Sequence, residues 1–311
     1  MTSTPQPRAE PVLIVGSVAL DSVRTPFGEA DWVLGGAASY ASVSASFFAP
    51  VRMVAVIGED FPDEHVAEFG RRGIDLRGLQ RTPGRTFRWS GYYEYDLNQA
   101  HTTATELNVF ESFRPEIPSD YRNSPYVFLA NIDPALQLAV LDQVRRPKLV
   151  VCDTMNYWIE SARHKVLEVL ARVDVALLND AEVRQLCEEP NLIAAARKVL
   201  DYGPGAVVVK KGEHGAMMLS SDSFFMAPGY PLEEVRDPTG AGDTFAGGLI
   251  GYLARCGDGG DGGLRRAIIS GSVMASFTVE DFSLRRLWRL QPDEIAERYR
   301  EIGAMTHFGG F

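Results

Sequence analysis

The chain is poor in cysteine. Cys152, Cys187 and Cys256 stand far apart in its 311 residues and form no CxxC pair. That excludes a disulfide framework or thiolate zinc site and suits a reducing compartment, so a cytoplasmic protein is expected. Basic charge is also short: Lys+Arg 31 against Asp+Glu 41 gives a net charge of −10. A nucleic-acid partner, which needs phosphate neutralisation, is not expected. An anionic small ligand stays open, because a local site can oppose the global charge. No stretch approaches the roughly 20 apolar residues that cross a bilayer, so no membrane partner is expected. Met1 to Pro11 is polar, without the basic start and apolar stretch of a secretory leader. Hydrophobic content of 45% and charged content of 23% exclude a disordered chain.

What is present alternates between strand and helix signals. Residues 12–20 (VLIVGSVAL) form an apolar, β-branched run ending at Asp21, the pattern of a buried strand with a polar residue at its carboxyl end. A turn-rich segment leads to Gly35-Gly36 and a helix of small residues. Arg52 to Ile57 reads as a strand and Phe61 to Arg72 as a helix. From 127 the order is strand (127–130), helix (134–144), strand (148–152), helix (160–171), strand (175–178), helix (181–187), helix (192–200), strand (206–210), and the tail from Ala241 is mostly helical. That rhythm predicts one α/β domain over 1–311, with a mostly parallel sheet covered by helices on both faces. Residues 85–110 differ. Phe87, Trp89, Tyr93 and Tyr95 recur at period two, and HTTATELNVF is again β-like, so two antiparallel strands are expected outside the central sheet. The run GDGGDGG (257–263) is too short for an EF-hand and reads as a connection between helices.

The densest chemical signal is Asp237-Pro238-Thr239-Gly240-Ala241-Gly242-Asp243-Thr244, just ahead of a small-residue helix. Gly240, Ala241 and Gly242 leave backbone N–H groups bare at a helix start, where the dipole adds positive character: an anion hole. Asp243, in the first turn, is either a helix stabiliser or a proton acceptor for an attacking hydroxyl.

This motif closely resembles the C-terminal signature of the ribokinase-like (PfkB) carbohydrate kinases. Further matches follow in order: Gly16 to Asp21, Gly35-Gly36, Asn179-Asp180-Ala181-Glu182, and Gly212-Glu213-His214-Gly215 after AVVVKK. No Walker A sequence and no Gly-x-Gly-x-x-Gly occurs. The resemblance implies a three-layer ribokinase-like α/β fold with a small projecting β-sheet lid, contributed by about 22–34 and 85–110. It implies ATP and Mg²⁺, with Asp243 as base and Gly240, Ala241 and Gly242 holding the moving phosphoryl group. Lys210, Gly212, Gly215, Asn179 and Thr239 fall on the nucleotide side. Glu182 and Asn179 would hold the water shell of Mg²⁺, although both also suit a helix cap. Asp237 and Thr239 mark a monovalent cation (K⁺) site in related kinases. Lids pair between subunits in several relatives, so a homodimer through the lid is implied.

On the substrate side the resemblance points to Asp21 as the hydroxyl clamp beside Gly35 and Gly36, with Asn108 and Asn131 as polar contacts. Two departures stand out. Ala19 occupies a place where the family often has Asn, and so does Tyr40, which could stack on a ring or pack in the core. Losing both asparagines argues against a standard ribose or fructose. The expected function is ATP-dependent phosphorylation of a hydroxyl on a small sugar or sugar-like alcohol. A nucleoside kinase and a non-catalytic nucleotide or metabolite sensor are the alternatives.

Overall fold

The computed structural model describes residues 9–307 and 309, so most of the polar start lies outside the described residues. In chain order the strands are β1 (Val12–Val15), β2 (Ala19–Thr25), β3 (Gly28–Gly35), β4 (Val51–Ile57), β5 (Asp75–Arg81), β6 (Phe87–Tyr93), β7 (Ala100–Glu106), β8 (Tyr126–Leu129), β9 (Leu149–Asp153), β10 (Val175–Asn179), β11 (Ala206–Lys210), β12 (Ala216–Ser220) and β13 (Phe224–Ala227). Nine of them form one sheet in the order β13-β12-β11-β10-β9-β8-β1-β4-β5. It is parallel from β11 through β5, and β12 and β13 run antiparallel at one edge. Strand alternation splits the core in two. Ile14, Phe128 and Val208 face one side, with Phe245, Leu249 and Ile268 of the C-terminal helices. Leu13, Val127 and Val207 face the other, with Val140, Val166 and Val183. This is the three-layer architecture expected.

The remaining strands make a separate sheet, β3-β2-β6-β7. Its existence matches the reading of 85–110, and it corrects the reading of 12–20. That run is two strands, not one. Ser17 ends the first: its carbonyl accepts from Ala38 N–H (2.9 Å) and its hydroxyl from Ala37 N–H (3.1 Å). The chain therefore turns at Gly16-Ser17-Val18 and enters the small sheet, which puts Asp21 inside β2. The turn-rich stretch ahead of Gly35 is the strand β3. The helix read over 160–171 breaks at Ala162, with pieces at Asn156–Ser161 and Arg163–Leu170. In the 257–263 connection, Asp258 accepts from Gly260 N–H (3.0 Å) and pairs with Arg266 (2.8 Å).

The helices Ala37–Ala45 and Ala241–Cys256 pack backbone to backbone. A Cβ on Gly247 would lie 2.2 Å from Ala41 O, and one on Gly251 would lie 2.8 Å from Ala45 Cα. This contact seats the helix that carries Asp243. Gly247→Val forces the two helices apart and should cost about 1–3 kcal/mol, seen as a lower midpoint in urea or thermal unfolding. An unchanged midpoint would mean the contact is not what seats the helix.

Candidate active site

The predicted residues gather at the carboxyl ends of the parallel strands, the side where open α/β sheets bind ligands. Asp153 ends β9, Asn179 ends β10 and Lys210 ends β11. Asn131 follows β8, and its Oδ1 is buried without a hydrogen-bond partner.

Asp21 reaches the same region from the small sheet. It is 5% exposed, and its Oδ1 likewise lacks a partner. The diglycine makes room for it. A Cβ on Gly35 would sit 1.8 Å from Asp21 Oδ2, and Gly36, at φ 91, starts the next helix in a conformation that favours glycine. The sequence contains the diglycine, but only the structure gives this reason for it.

In the 237–244 loop, Gly240 has φ 75 and caps the Ala241–Cys256 helix. Ala241 N–H goes to Pro238 O (3.2 Å) and Thr244 N–H to Gly240 O (2.8 Å). Among the described residues, Gly240 and Gly242 donate to no backbone carbonyl, whereas Ala241, the middle member of the Gly240–Gly242 set, is already engaged. Asp243 is half-buried and is steadied by its own backbone N–H. Asp237 is 1% exposed: Oδ1 accepts from Thr239 N–H (2.9 Å), and Oδ2 is an unpartnered buried oxygen.

Asn179 and Glu182 form a complete capping box. Asn179 N–H and Nδ2 donate to the two Glu182 oxygens at 2.7 and 2.8 Å, and Glu182 N–H donates to Asn179 Oδ1 at 2.8 Å. Each carboxylate oxygen keeps a lone pair for a water. Lys210 Nζ lies 2.5 Å from Asp153 Oδ2, and 3.3 Å from where a Cβ on Gly242 would stand. Gly212 (φ 56) and Gly215 (φ 80) form the turn from β11 to β12.

Tyr40 is 2% exposed, and its ring fills the space a Cβ on Gly240 would need, 2.4 Å away. It packs rather than presents a face. Asn108 is a turn residue (φ 50) whose amide donates to Thr86 O (3.0 Å) and Glu106 O (3.3 Å), which commits its donors locally. Two residues escaped sequence reasoning. Asp153 is the partner of Lys210. Tyr93 of β6 brings its hydroxyl 3.3 Å from Thr239 Oγ1, tying the small sheet to the loop. Period-two aromatics marked Tyr93 as a strand residue, but nothing local marks its partner.

Burial pushes the Asp243 carboxyl up to about 7, and Asp153 adds repulsion that Lys210 partly offsets. Burial, then the charges of Asp237 and Asp243, push Asp21 up to about 8. Glu182 is raised by burial against the pull of Lys210, and Asp237 is raised by burial. Burial alone would lower Lys210, but Asp153 and Glu182 outweigh it and hold the ammonium charged. Carboxyls this crowded admit a polyanion only with a cation escort. Among the described residues no three side chains converge to chelate a metal. The donors fit a water-shelled Mg²⁺ arriving on phosphates, touched through Glu182, better than a protein-caged ion.

A carboxylate beside bare helix-start N–H groups, within reach of the charge of a second carboxylate with an unpartnered oxygen, is an arrangement that suits a phosphotransferase with an alcohol acceptor. The pfkB family carbohydrate kinase profile matches residues 29–288, and the chain belongs to that family. It is 30% identical over 250 residues to a cytidine kinase of Thermococcus kodakarensis, covering 78% of this chain and 88% of that protein. It is 24% identical over 266 residues to a deoxyribokinase of Salmonella typhimurium, covering 79% and 80%. The fold matches the nucleoside kinase of Methanocaldococcus jannaschii with TM-score 0.76 at 21% identity, covering 94% of this chain and 99% of that one. No helix among the described residues is long and apolar enough to cross a membrane.

Both raised carboxyls hold protons in the folded protein that an unfolded carboxyl, with its ordinary value of 3.8, would release. Their effect on stability is therefore neutral at low pH, and stability falls as pH rises toward 7 and 8. Asp243→Asn should raise the melting temperature by a few degrees at pH 8 and hardly at all at pH 3.5, below the point where the unfolded carboxyl ionises. An equal change at both pH values would show that Asp243 is not strained by its charge.

Proposed function

We propose that the protein is an ATP-dependent kinase that moves the γ-phosphoryl group to a hydroxyl on the sugar of a nucleoside. The observation that carries this is the half-buried Asp243 carboxyl beside the free N–H of Gly242, with Asp21 near enough for the two charges to repel. Mg-ATP supplies the phosphoryl group, with the metal sharing its charge. Asp21 accepts hydrogen bonds from neighbouring hydroxyls through its unpartnered oxygen and so orients the acceptor. Asp243 takes the hydroxyl proton as the new O–P bond forms and the bond to the ADP oxygen breaks. Gly240 and Gly242 N–H groups, with Lys210, hold the phosphoryl oxygens. Gly212 and Gly215 shape the nucleotide side, and Glu182 with Asn179 orders water around the metal. The four-stranded sheet, held to the loop by Tyr93, is the lid that excludes water.

A nucleoside is favoured over a small free sugar by Trp89. It sits in register beside Asp21 on the neighbouring strand, hence on the same face of the sheet. Its indole lies over Gly91, where a Cβ would come 2.4 Å from the ring, and its N–H is pinned to Thr102 Oγ1 at 3.1 Å. A half-exposed, fixed aromatic surface beside a hydroxyl clamp suits a planar base. The cytidine kinase and nucleoside kinase relatives agree with this.

The decisive measurement is ADP release with Mg-ATP across nucleosides, pentoses, hexoses and polyols. Turnover is expected with nucleosides. Turnover confined to free sugars would remove the nucleoside assignment, and ligand-induced thermal shifts without any turnover would favour a sensor. On the best acceptor, Asp243→Asn should lower kcat about 10²–10⁴-fold while nucleotide binding survives. Because the base must be ionised, kcat/KM for wild type should rise between pH 6 and 8, following the Asp243 and Asp21 carboxyls at about 7 and about 8. A flat profile over that range would separate catalysis from these groups.

A further inference from the structure

The pair Lys210–Asp153 is costly where it stands. Asp153 is 3% and Lys210 16% exposed, and burying an ion pair seldom gains net stability. The sheet does not need it, since β9, β10 and β11 are already joined in parallel register by their backbones. Asp153 itself is fixed from several directions. Its Oδ1 accepts from Thr154 N–H (2.9 Å), and its carbonyl accepts from Gln137 Nε2 (2.9 Å). Gln137 is buried and also donates to Ala130 O (3.0 Å), so the brace spans the ends of β8 and β9. A rigid carboxylate thus points one flexible ammonium at one place, and that place is Gly242. The absent side chain there leaves the ammonium 3.3 Å from the would-be Cβ, next to an N–H that donates to no backbone carbonyl. An alanine at 242 would press on the ammonium.

We propose that Lys210 is a catalytic residue that contacts the transferring phosphoryl group, and that Asp153 is the positioning residue that aims it. This rests on the kinase reading of the cleft. Lys210 keeps its protons throughout and forms no covalent bond. It donates charge-assisted hydrogen bonds to a non-bridging phosphoryl oxygen and offsets charge that the carboxyls around it would otherwise repel. Asp153 never touches the nucleotide. It restricts a long side chain to the geometry in which Gly242 N–H and the ammonium share one oxygen.

The test compares wild type, Lys210→Met, Lys210→Arg and Asp153→Asn by two readouts. One is calorimetric affinity for Mg-ADP and for a non-hydrolysable β,γ-imido ATP analogue. The other is kcat and KM on the best acceptor. Lys210→Met should bind Mg-ADP within about threefold of wild type, lose about tenfold or more of its affinity for the analogue, and lose about 10²–10³ in kcat. Lys210→Arg should recover part of both. Asp153→Asn should keep Mg-ADP affinity and acceptor KM while kcat falls about tenfold or more, because the ammonium is present but unaimed. If Lys210→Met does not fold, the arginine and asparagine variants decide alone, and wild-type behaviour in both would overturn the proposal. Unchanged analogue affinity and kcat in Lys210→Met would also overturn it while leaving the kinase reading intact. Wild type that binds the analogue through Lys210 but turns over no acceptor would sink the kinase reading and keep the lysine as a phosphate contact. Wild type that binds neither nucleotide would overturn both.

Discussion

Carboxyls crowded into one poorly solvated cleft set the terms for this molecule. Asp21, Asp153, Glu182, Asp237 and Asp243 feel one another strongly enough that burial and mutual repulsion raise several of them, and Lys210 is the charge that answers. Such a cluster opposes folding. It is tolerated because the two apolar layers on either side of the nine-stranded sheet are thick, and because glycines remove the atoms that would collide with it. Gly35 yields its side-chain space to Asp21, Gly240 to the ring of Tyr40 and Gly242 to Lys210. The glycines of this site are therefore spatial requirements of particular neighbours, and only some, such as Gly36 and Gly240, are also conformational ones.

The unpartnered oxygens say what the cleft is for. Buried polar atoms are nearly always satisfied, so each orphan calls for an explanation. Asp21 Oδ1, Asn131 Oδ1 and Asp237 Oδ2 are acceptors without donors. In the proposed function, a ligand rich in hydroxyl groups would satisfy the first two and a cation the third. Asn108 differs, since its amide already closes a turn. A hydrogen-bond account thus separates candidate contacts that sequence reasoning could only name together.

Much of this was legible in advance, for local reasons. The parallel strands announced themselves by unbroken β-branched runs, and the loop 237–244 by glycines at a helix start. What escaped was non-local. The strands β5, β12 and β13 owe their place to neighbours rather than to their own pattern. The run 12–20 looked continuous because every residue in it is small or apolar. Its break depends on Ser17 capping a helix twenty residues ahead. Asp153 lay just past the strand read as 148–152 and drew no notice, because its partner lies 57 positions away. Asn179 and Glu182 carry two meanings at one spacing. The capping box is complete in the structure, and the lone pairs it leaves on the Glu182 oxygens are what a water-ordering role would use, so the local reading and the functional one do not compete.

The division of the site between two bodies has a consequence for chemistry. Asp21 stands on the small sheet, while Lys210 ends a strand of the large one and Asp243 stands on a helix packed against it, so in the proposed reaction acceptor and phosphoryl group would be held by parts that need not move together. Two contacts couple them at the same loop. Tyr93 meets Thr239 Oγ1, and Thr25 Oγ1 donates to Arg236 O at 2.8 Å. Thr239 in turn donates its N–H to Asp237. Any shift of the small sheet therefore reaches the loop that begins the Asp243 helix through hydrogen bonds rather than through loose contact. In phosphoryl transfer, where alignment outweighs the strength of the base, a lid built this way would do more than exclude water. It would set the distance between the attacking oxygen and the group that receives its proton. The aromatic residues of β6 are thus engaged at two points of one strand: Trp89 beside Asp21, and Tyr93 at the loop that precedes the helix start.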